Sequence, residues 1–208
     1  MALSRHQTIA FTPAELEFFA ENEPITIVPT HYIEKLDLIC GSFGPFRPPH
    51  KVQIPLWLAA FLKSSNKCRI VPPAWLEPDH LEKLCMQEEV PESRFSPLPP
   101  HYIAITNILF DCAEDDLGDS QTIRRLLQDI QEVRQGKVRE GIKALNPTQL
   151  QMDNLSVAEI NQVRPLFKGM FNTLREINLL KREQHAPNEY LDNEEATYSQ
   201  FDPSSSAY

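Results

Sequence analysis

Glycine is scarce in this sequence, with six residues in 208, and the phosphate-binding loops that depend on it are missing. Gly41 and Gly44 are the only close pair outside the predicted helices, and neither G-x-x-x-x-G-K-S/T nor G-x-G-x-x-G occurs. The six histidines and four cysteines are too scattered for a metal site. The carboxylate pairs Glu88-Glu89 and Asp115-Asp116 occupy adjacent positions that diverge on a helix, so we expect them on the solvated surface. These absences predict a protein that is not an enzyme and uses no cofactor.

Long apolar runs are absent too. None approaches the roughly 20 residues that span a bilayer, and residues 1–6 lack the apolar core of a secretory signal. We therefore expect an intracellular protein without a membrane partner. The cysteines lie 28, 17 and 27 residues apart, which is neither zinc-ligand spacing nor the density of a disulfide-rich secreted domain. They are predicted to be free thiols.

Positive charge is in deficit, because the net charge is −9. Six acidic residues and no Lys or Arg follow residue 182, so this end carries −6 and the remainder only −3. Its polar composition predicts a disordered acidic tail over residues 185–208. The basic residues between Arg124 and Lys143 are interspersed with acidic ones and surround their predicted helix. Tight, direct nucleic-acid binding by the isolated chain is therefore not expected.

The first half of the chain reads as loop-rich and partly β. It holds fourteen of the eighteen prolines. Thr12 and Glu15 form a capping box around Pro13, which predicts a short helix, and Pro55 precedes a second predicted helix at 56–63. Residues 41–46 are predicted to form an exposed turn. Short β-type runs lie at 25–28, 36–40, 52–54 and 68–71.

The second half reads as helical, because apolar residues beyond Trp75 recur every three or four positions. Ser156 and Glu159 form a capping box at the start of the last helix. Pro165 is predicted to kink that helix, since proline removes one backbone amide and clashes with the preceding turn. The predicted helices cover 78–88, 101–114, 120–145 and 156–184.

Two cations lie on an apolar stripe of the third of these helices. Arg134 and Lys137 share the side formed by Ile123, Leu127 and Ile130. Because an unpaired buried charge is costly, three arrangements are open. The two residues meet carboxylates from a neighbouring helix, or meet them from another chain, or extend past their own stems to water.

Short stretches in a fixed order along the chain match one known family. They are Glu23–Pro29, Gly44–Phe46, Val52–Leu76 (VQIPLWLAAFLKSSNKCRIVPPAWL), Arg94–Pro99, Arg134–Val138, Leu150–Ser156 and Leu174–Glu176. Together they resemble the second subunits of the eukaryotic GINS complex, over roughly residues 11–181. The resemblance implies an α+β, mainly α fold, with a small β-rich B domain before a helical A domain. The predicted organisation is a flexible N-terminus at 1–10, the B domain at 11–72, the A domain at 73–184 and the acidic tail at 185–208.

The same resemblance implies a non-catalytic nuclear subunit of a heterotetramer with three homologous GINS subunits. That assembly would join the MCM ring and a RecJ-like cofactor as the replicative helicase in initiation and elongation, with DNA polymerase epsilon as a further candidate partner. Candidate subunit contacts are Arg134, Lys137, Phe167, Met170, Phe171 and Leu174. Candidate small-domain contacts are Phe43, Phe46 and Trp57. The alternative is an orphan adaptor or chromatin-associated binding protein with the same fold, which uses its acidic tail on a basic partner.

Overall fold

The computed structural model describes residues 10–90, 94–143 and 152–184, without the side chains of 143, 178 and 181–184. The predicted acidic tail lies outside these residues. The described part begins with α1 (Pro13–Ala20), β1 (Pro24–Pro29), β2 (Leu36–Leu38), β3 (Gly41–Phe43), β4 (Val52–Pro55), α2 (Leu56–Ser64) and β5 (Cys68–Val71). The helices α3 (Pro78–Glu88), α4 (Tyr102–Ala113), α5 (Ser120–Lys143) and α6 (Val157–Gln184) follow, with short 3₁₀ turns at Ala74–Leu76 and Glu114–Asp116. The predicted α+β, mainly α fold is confirmed.

The β strands form a three-stranded antiparallel sheet in the order β4-β1-β5. Burial alternates along its central strand as the period of a strand requires, because Ile25 and Ile27 are buried while Thr26 and Val28 are more exposed. Ile27 faces Val52 on one side and Ile70 on the other. A separate two-stranded hairpin joins β2 to β3.

The helix starts follow the sequence closely. The Thr12 side chain accepts from the backbone of Glu15, whose carboxylate accepts from the Thr12 backbone, and the predicted capping box of α1 is confirmed. Pro55 occupies the N-cap of α2, one position before the helix. The last helix continues through Pro165, and the kink there stays a prediction.

The predicted exposed turn at 41–46 is wrong. Residues 41–43 pair with β2, and Phe46 is fully buried, with backbone bonds in both directions to Ile33. Gly44 makes this approach possible, because its φ of +96° suits glycine and an added Cβ would lie 3.2 Å from the Phe46 ring. Phe46 is thus a core residue and not a small-domain contact.

The chain divides into two compact units, with the boundary between Pro165 and Leu166. In the first unit, one apolar core joins the sheet side chains to α2, α3, α4 and α5. It includes Ile27 and Leu62 from the N-terminal half and Leu109 and Ile130 from the helical half. The second unit contains the α6 residues from Leu166 onward. The domain boundary near residue 72 stays a prediction.

Candidate functional site

A single arginine lies at the centre of the helical half of the first unit. The Arg134 side chain has no exposed surface, and each of its five N–H groups has an acceptor. Nε and Nη2 donate to the two carboxylate oxygens of Glu159 at 2.8 and 3.1 Å. Nη1 donates to Glu88 at 2.7 Å and to the Ser96 carbonyl at 3.3 Å, while Nη2 also donates to the Asn154 carbonyl at 2.5 Å. The guanidinium therefore joins α5 to four other segments.

Glu88, the last residue of α3, is the second member of this network. Its buried carboxylate accepts from Arg134 and from the Ser96 amide and hydroxyl at 2.8 and 2.6 Å. Its other oxygen accepts from Lys137 Nζ at 2.7 Å. The Lys137 side chain is 11% exposed, so its cation is also largely shielded from water.

Glu159 performs two tasks at the start of α6. Its carboxylate pairs with Arg134 and also accepts from the Ser156 backbone at 2.7 Å, while the Ser156 hydroxyl accepts from the Glu159 amide at 3.2 Å. The predicted capping box is confirmed. The Tyr102 hydroxyl of α4 donates to the same carboxylate at 3.2 Å. The first turn of α6 is therefore tied to α4 and α5 through one side chain.

The segment before α6 is fixed to the same place. Asn154 has a φ of +62° and its amide donates to the Phe95 carbonyl at 3.0 Å. The Phe95 ring lies 5.1 Å from the Arg134 guanidinium carbon. Three of the stretches that carry the family resemblance, containing Phe95, Arg134 and Asn154, thus meet around one guanidinium.

The charges in this network stabilise each other. Burial by itself raises the pKa of the Glu88 carboxyl, but hydrogen bonds from Lys137 and Ser96 and the charge of Arg134 more than offset it, and the pKa lies below its ordinary value. Burial opposes the charge of Arg134 as well, yet the pKa of its guanidinium is raised, chiefly by Glu159. Burial and the Glu159 charge raise the pKa of Tyr102. Glu88 and Arg134 are therefore ionised at neutral pH, and Tyr102 is neutral.

The contacts of Arg134 and Lys137 distinguish between the three arrangements that the sequence left open for these two residues. Arg134 and Lys137 pair with carboxylates of neighbouring helices in the same chain. Arg134 has no surface left for another subunit, so its assignment as a subunit contact is corrected. Within the described residues, every buried side-chain nitrogen and oxygen has a hydrogen-bond partner. The arrangement fixes helices against one another.

The expectation that Glu88 and Asp116 lie on solvated surface is also wrong. Glu88 has no exposed surface, and the Asp116 side chain is 3% exposed. A sequence signal existed for Glu88, because Leu81, Leu84 and Glu88 fall on one stripe of α3 and all three are buried. For Asp116 the pattern offered no such signal.

The second unit presents a different surface. From Leu166 to Leu180, one row of α6 carries apolar side chains at positions three and four apart, interrupted by Thr173. Its exposed members include Leu166 at 50%, Ile177 at 41% and Leu180 at 58%. The predicted contacts Phe167, Met170, Phe171 and Leu174 are each half-buried. Single exposed apolar residues are common, but a row of them over four turns, interrupted only by Thr173, is typical of an interaction surface.

The small-domain candidates are divided between core and surface. Phe43 and Trp57 are half-buried and meet edge to face, with ring centroids 6.2 Å apart. Phe46 is in the core, as described above. Phe43 and Trp57 thus keep part of their rings accessible, and their role in partner contact stays a prediction.

The described residues also bear on three other kinds of site, namely reactive cysteines, metal sites and membrane spans. Cys68 is buried, which raises the pKa of its thiol to about 11, and all four cysteines are free. Among the residues that the structure describes, no group of three His, Cys, Asp or Glu side chains is placed to hold a metal ion. No helix in the same part of the chain is both long and apolar enough to cross a bilayer.

Two family models match the chain in succession. One is described as the PSF2 N-terminal domain and matches residues 12–71. The other is described as the GINS complex protein helical bundle domain and matches residues 75–178. Together they define the class of protein, a GINS subunit with a PSF2-type N-terminal domain.

Individual relatives agree with these models. The DNA replication complex GINS protein psf2 of Schizosaccharomyces pombe is 41% identical over 184 residues, which cover 88% of this chain and 100% of that protein. The PSF2 proteins of Saccharomyces cerevisiae and Xenopus laevis are 36% and 38% identical, over 86% and 76% of this chain and 92% and 88% of their own. The chain belongs to the PSF2 family of GINS proteins. The resemblance drawn from the sequence is confirmed.

Proposed function

We propose that this chain is a non-catalytic subunit of a nuclear GINS heterotetramer, and that it assembles with three homologous subunits through α6. The observation that carries the proposal is the exposed apolar row from Leu166 to Leu180. Burying three such side chains against a partner helix would stabilise an assembly by several kcal/mol, at roughly 1.5–3 kcal/mol for each fully buried side chain. The half-buried candidates Phe167, Met170, Phe171 and Leu174 would extend that contact.

The finer assignments follow from the family. In this proposal the tetramer joins the MCM ring and a RecJ-like cofactor to form the replicative helicase, with DNA polymerase epsilon as a further partner. The names of the relatives, which place them in a DNA replication complex, support this setting. The edge-to-face pair of Phe43 and Trp57 is proposed as a small-domain contact with one of these partners.

Co-expression tests the assembly. The chain would be produced alone and together with the three other GINS subunits, and each product would be measured by size-exclusion chromatography with mass determination. We expect a stoichiometric four-subunit peak. A well-behaved monomer that binds none of the three would contradict the proposal and favour the adaptor hypothesis.

A matched pair of substitutions tests the surface itself. Ile177→Glu places a carboxylate within the exposed apolar row, whereas Arg175→Glu places the same side chain half a turn away, on the opposite side of the helix. We expect Ile177→Glu to reduce the yield of the four-subunit peak at least tenfold and Arg175→Glu to leave it within about twofold, since an unpaired charge in an apolar contact is unfavourable. Equal losses in both variants would rule out this row as the interface.

A further inference from the structure

Asp116 links the sheet of the N-terminal half to the turn that ends α4. It is the last residue of the 3₁₀ turn Glu114–Asp116, and its side chain is only 3% exposed. Its Oδ2 accepts the backbone N–H of Ile70, in β5, at 2.8 Å. These two residues are 46 positions apart. The bond therefore connects two regions that meet only through folding.

The position of this bond in the sheet gives it a second property. The strand β5 pairs with β1 along one side, and within the described residues no further strand pairs with its other side. An outward-facing strand N–H such as that of Ile70 could otherwise donate to a carbonyl of a further strand from another chain. Asp116 satisfies it from within the molecule.

Two cations complete the arrangement. Lys63, in the last turn of α2, contacts Asp116 Oδ2 at 2.8 Å, and its side chain is 10% exposed. Arg69 of β5 lies 3.4 Å from the other oxygen of Asp116 and is 72% exposed. The Asp116 carboxylate thus holds the end of α2 and the edge of β5 at once. Its neighbour Asp115 also contacts Lys63 at 2.8 Å but is 73% exposed.

We propose that Asp116 is the positioning residue that fixes the sheet of the N-terminal half against the helical half and closes the outer edge of β5. Without its carboxylate, the apolar core that both halves share stays in place, while the outer edge of β5 opens and β5 gains freedom relative to α4. This role is a property of the single chain and does not depend on the proposed assembly.

Backbone amide exchange by NMR on the full-length chain tests the proposal, with Asp115→Ala as the matched control. Asp116→Ala is expected to speed exchange of the Ile70 amide at least about tenfold, because a hydrogen bond to a charged group is lost. Exchange of the α5 core amides at Ile123 and Ile130 is expected to stay unchanged. Asp115→Ala is expected to leave all three amides as in the wild type.

Orientation gives a second readout that a general loss of stability would not move. Residual dipolar couplings of the β5 amides are expected to fit the alignment tensor of the α4–α5 amides in the wild type and to deviate from it in Asp116→Ala. Couplings of β5 that still fit in that variant, unchanged Ile70 exchange, or equal acceleration at Ile70 and in α5 would each overturn the proposal. If the alanine variant does not fold, Asp116→Leu replaces it, because leucine has a similar shape and no acceptor, with Asp115→Leu as its control. Equal Ile70 exchange in those two variants would overturn the proposal as well.

Discussion

The surroundings of Arg134 and the row from Leu166 to Leu180 both depart from the usual distribution, in which apolar side chains are buried and charged ones are exposed. In the first unit a charged network is buried, and each Arg134 donor has an acceptor within the chain. In the second unit large apolar side chains are exposed. A buried charge whose hydrogen-bond partners all lie within the chain helps to fix the fold of the single chain. An exposed apolar row is instead typical of a surface that another protein covers. The comparison separates residues that hold the subunit together from residues proposed to hold subunits to each other.

Removing the central cation should have the largest effect on stability. Arg134→Met leaves Glu88 and Glu159 buried without their main partner, so we expect the free energy of unfolding to fall by about 3–5 kcal/mol. Chemical denaturation of the full-length chain measures it. Arg139→Met, on the exposed side of the same helix, is the control and should change the value by less than about 0.5 kcal/mol. Similar losses in the two variants would show that the network is not what stabilises the bundle.

The pH dependence of stability should reveal Glu88. Its folded pKa is lowered, so its stabilising contribution is complete above the ordinary carboxyl pKa of about 4.3 and is lost as the pH falls from there through the lowered pKa. We expect Glu88→Gln to be less stable than the wild type at neutral pH and the difference to shrink in acid. Denaturation curves between pH 7 and pH 3 measure this. A difference that is constant with pH would contradict the ionised network.

The two capping boxes offer a smaller and more local comparison. Thr12→Ala removes an exposed N-cap and Ser156→Ala a buried one, and an N-cap is typically worth about 1 kcal/mol. We expect Ser156→Ala to have the larger effect, because it also disturbs the carboxylate that pairs with Arg134. Thermal denaturation of both variants measures the difference. A larger loss of stability in Thr12→Ala than in Ser156→Ala would show that the α6 cap does not contribute to the Arg134 network.

The smallest effect on the isolated chain is expected in the apolar row. Leu180 is 58% exposed, so Leu180→Gln should change the free energy of unfolding of the chain by less than about 0.5 kcal/mol. The same variant should weaken a four-subunit assembly measurably in dilution experiments. A large loss of stability of the isolated chain would show that this row packs within the chain itself and is not an interface.

Local patterns in the sequence predicted most elements, and long-range contacts account for the errors. The capping boxes at Thr12 and Ser156 and the strand at Cys68–Val71 depend on neighbouring residues and are confirmed. The burial of Phe46 depends on backbone pairing with Ile33, 13 residues earlier, and on the backbone conformation of Gly44. Glu88 and Asp116 each have a partner 46 residues away along the chain, Arg134 and Ile70 respectively. No periodicity of a single element encodes such a pairing.

The candidate site shows the same division. The stripe of α5 predicted that Arg134 is buried. On α6 the sequence singled out Phe167, Met170, Phe171 and Leu174, which are half-buried, and it did not single out the exposed Leu166 and Leu180. Periodicity could not identify the partners of Arg134, because a helical wheel shows which side of a helix is buried but not which residues pack against that side. Ser96 and Asn154 contribute carbonyls to Arg134, and backbone acceptors leave no trace in residue type.

The bonds of Arg134 also act as a cross-link in a chain whose four cysteines are free. By holding Glu88 and Glu159, the guanidinium closes loops of 46 and 25 residues. A disulfide would restrict the unfolded chain as well as the folded one, whereas this ionic link exists only once α3, α5 and α6 are in place. It is also indifferent to thiol reductants, whereas its Glu88 arm is expected to be lost in acid when that carboxylate is protonated. The stability of the bundle should therefore respond to pH and not to redox conditions.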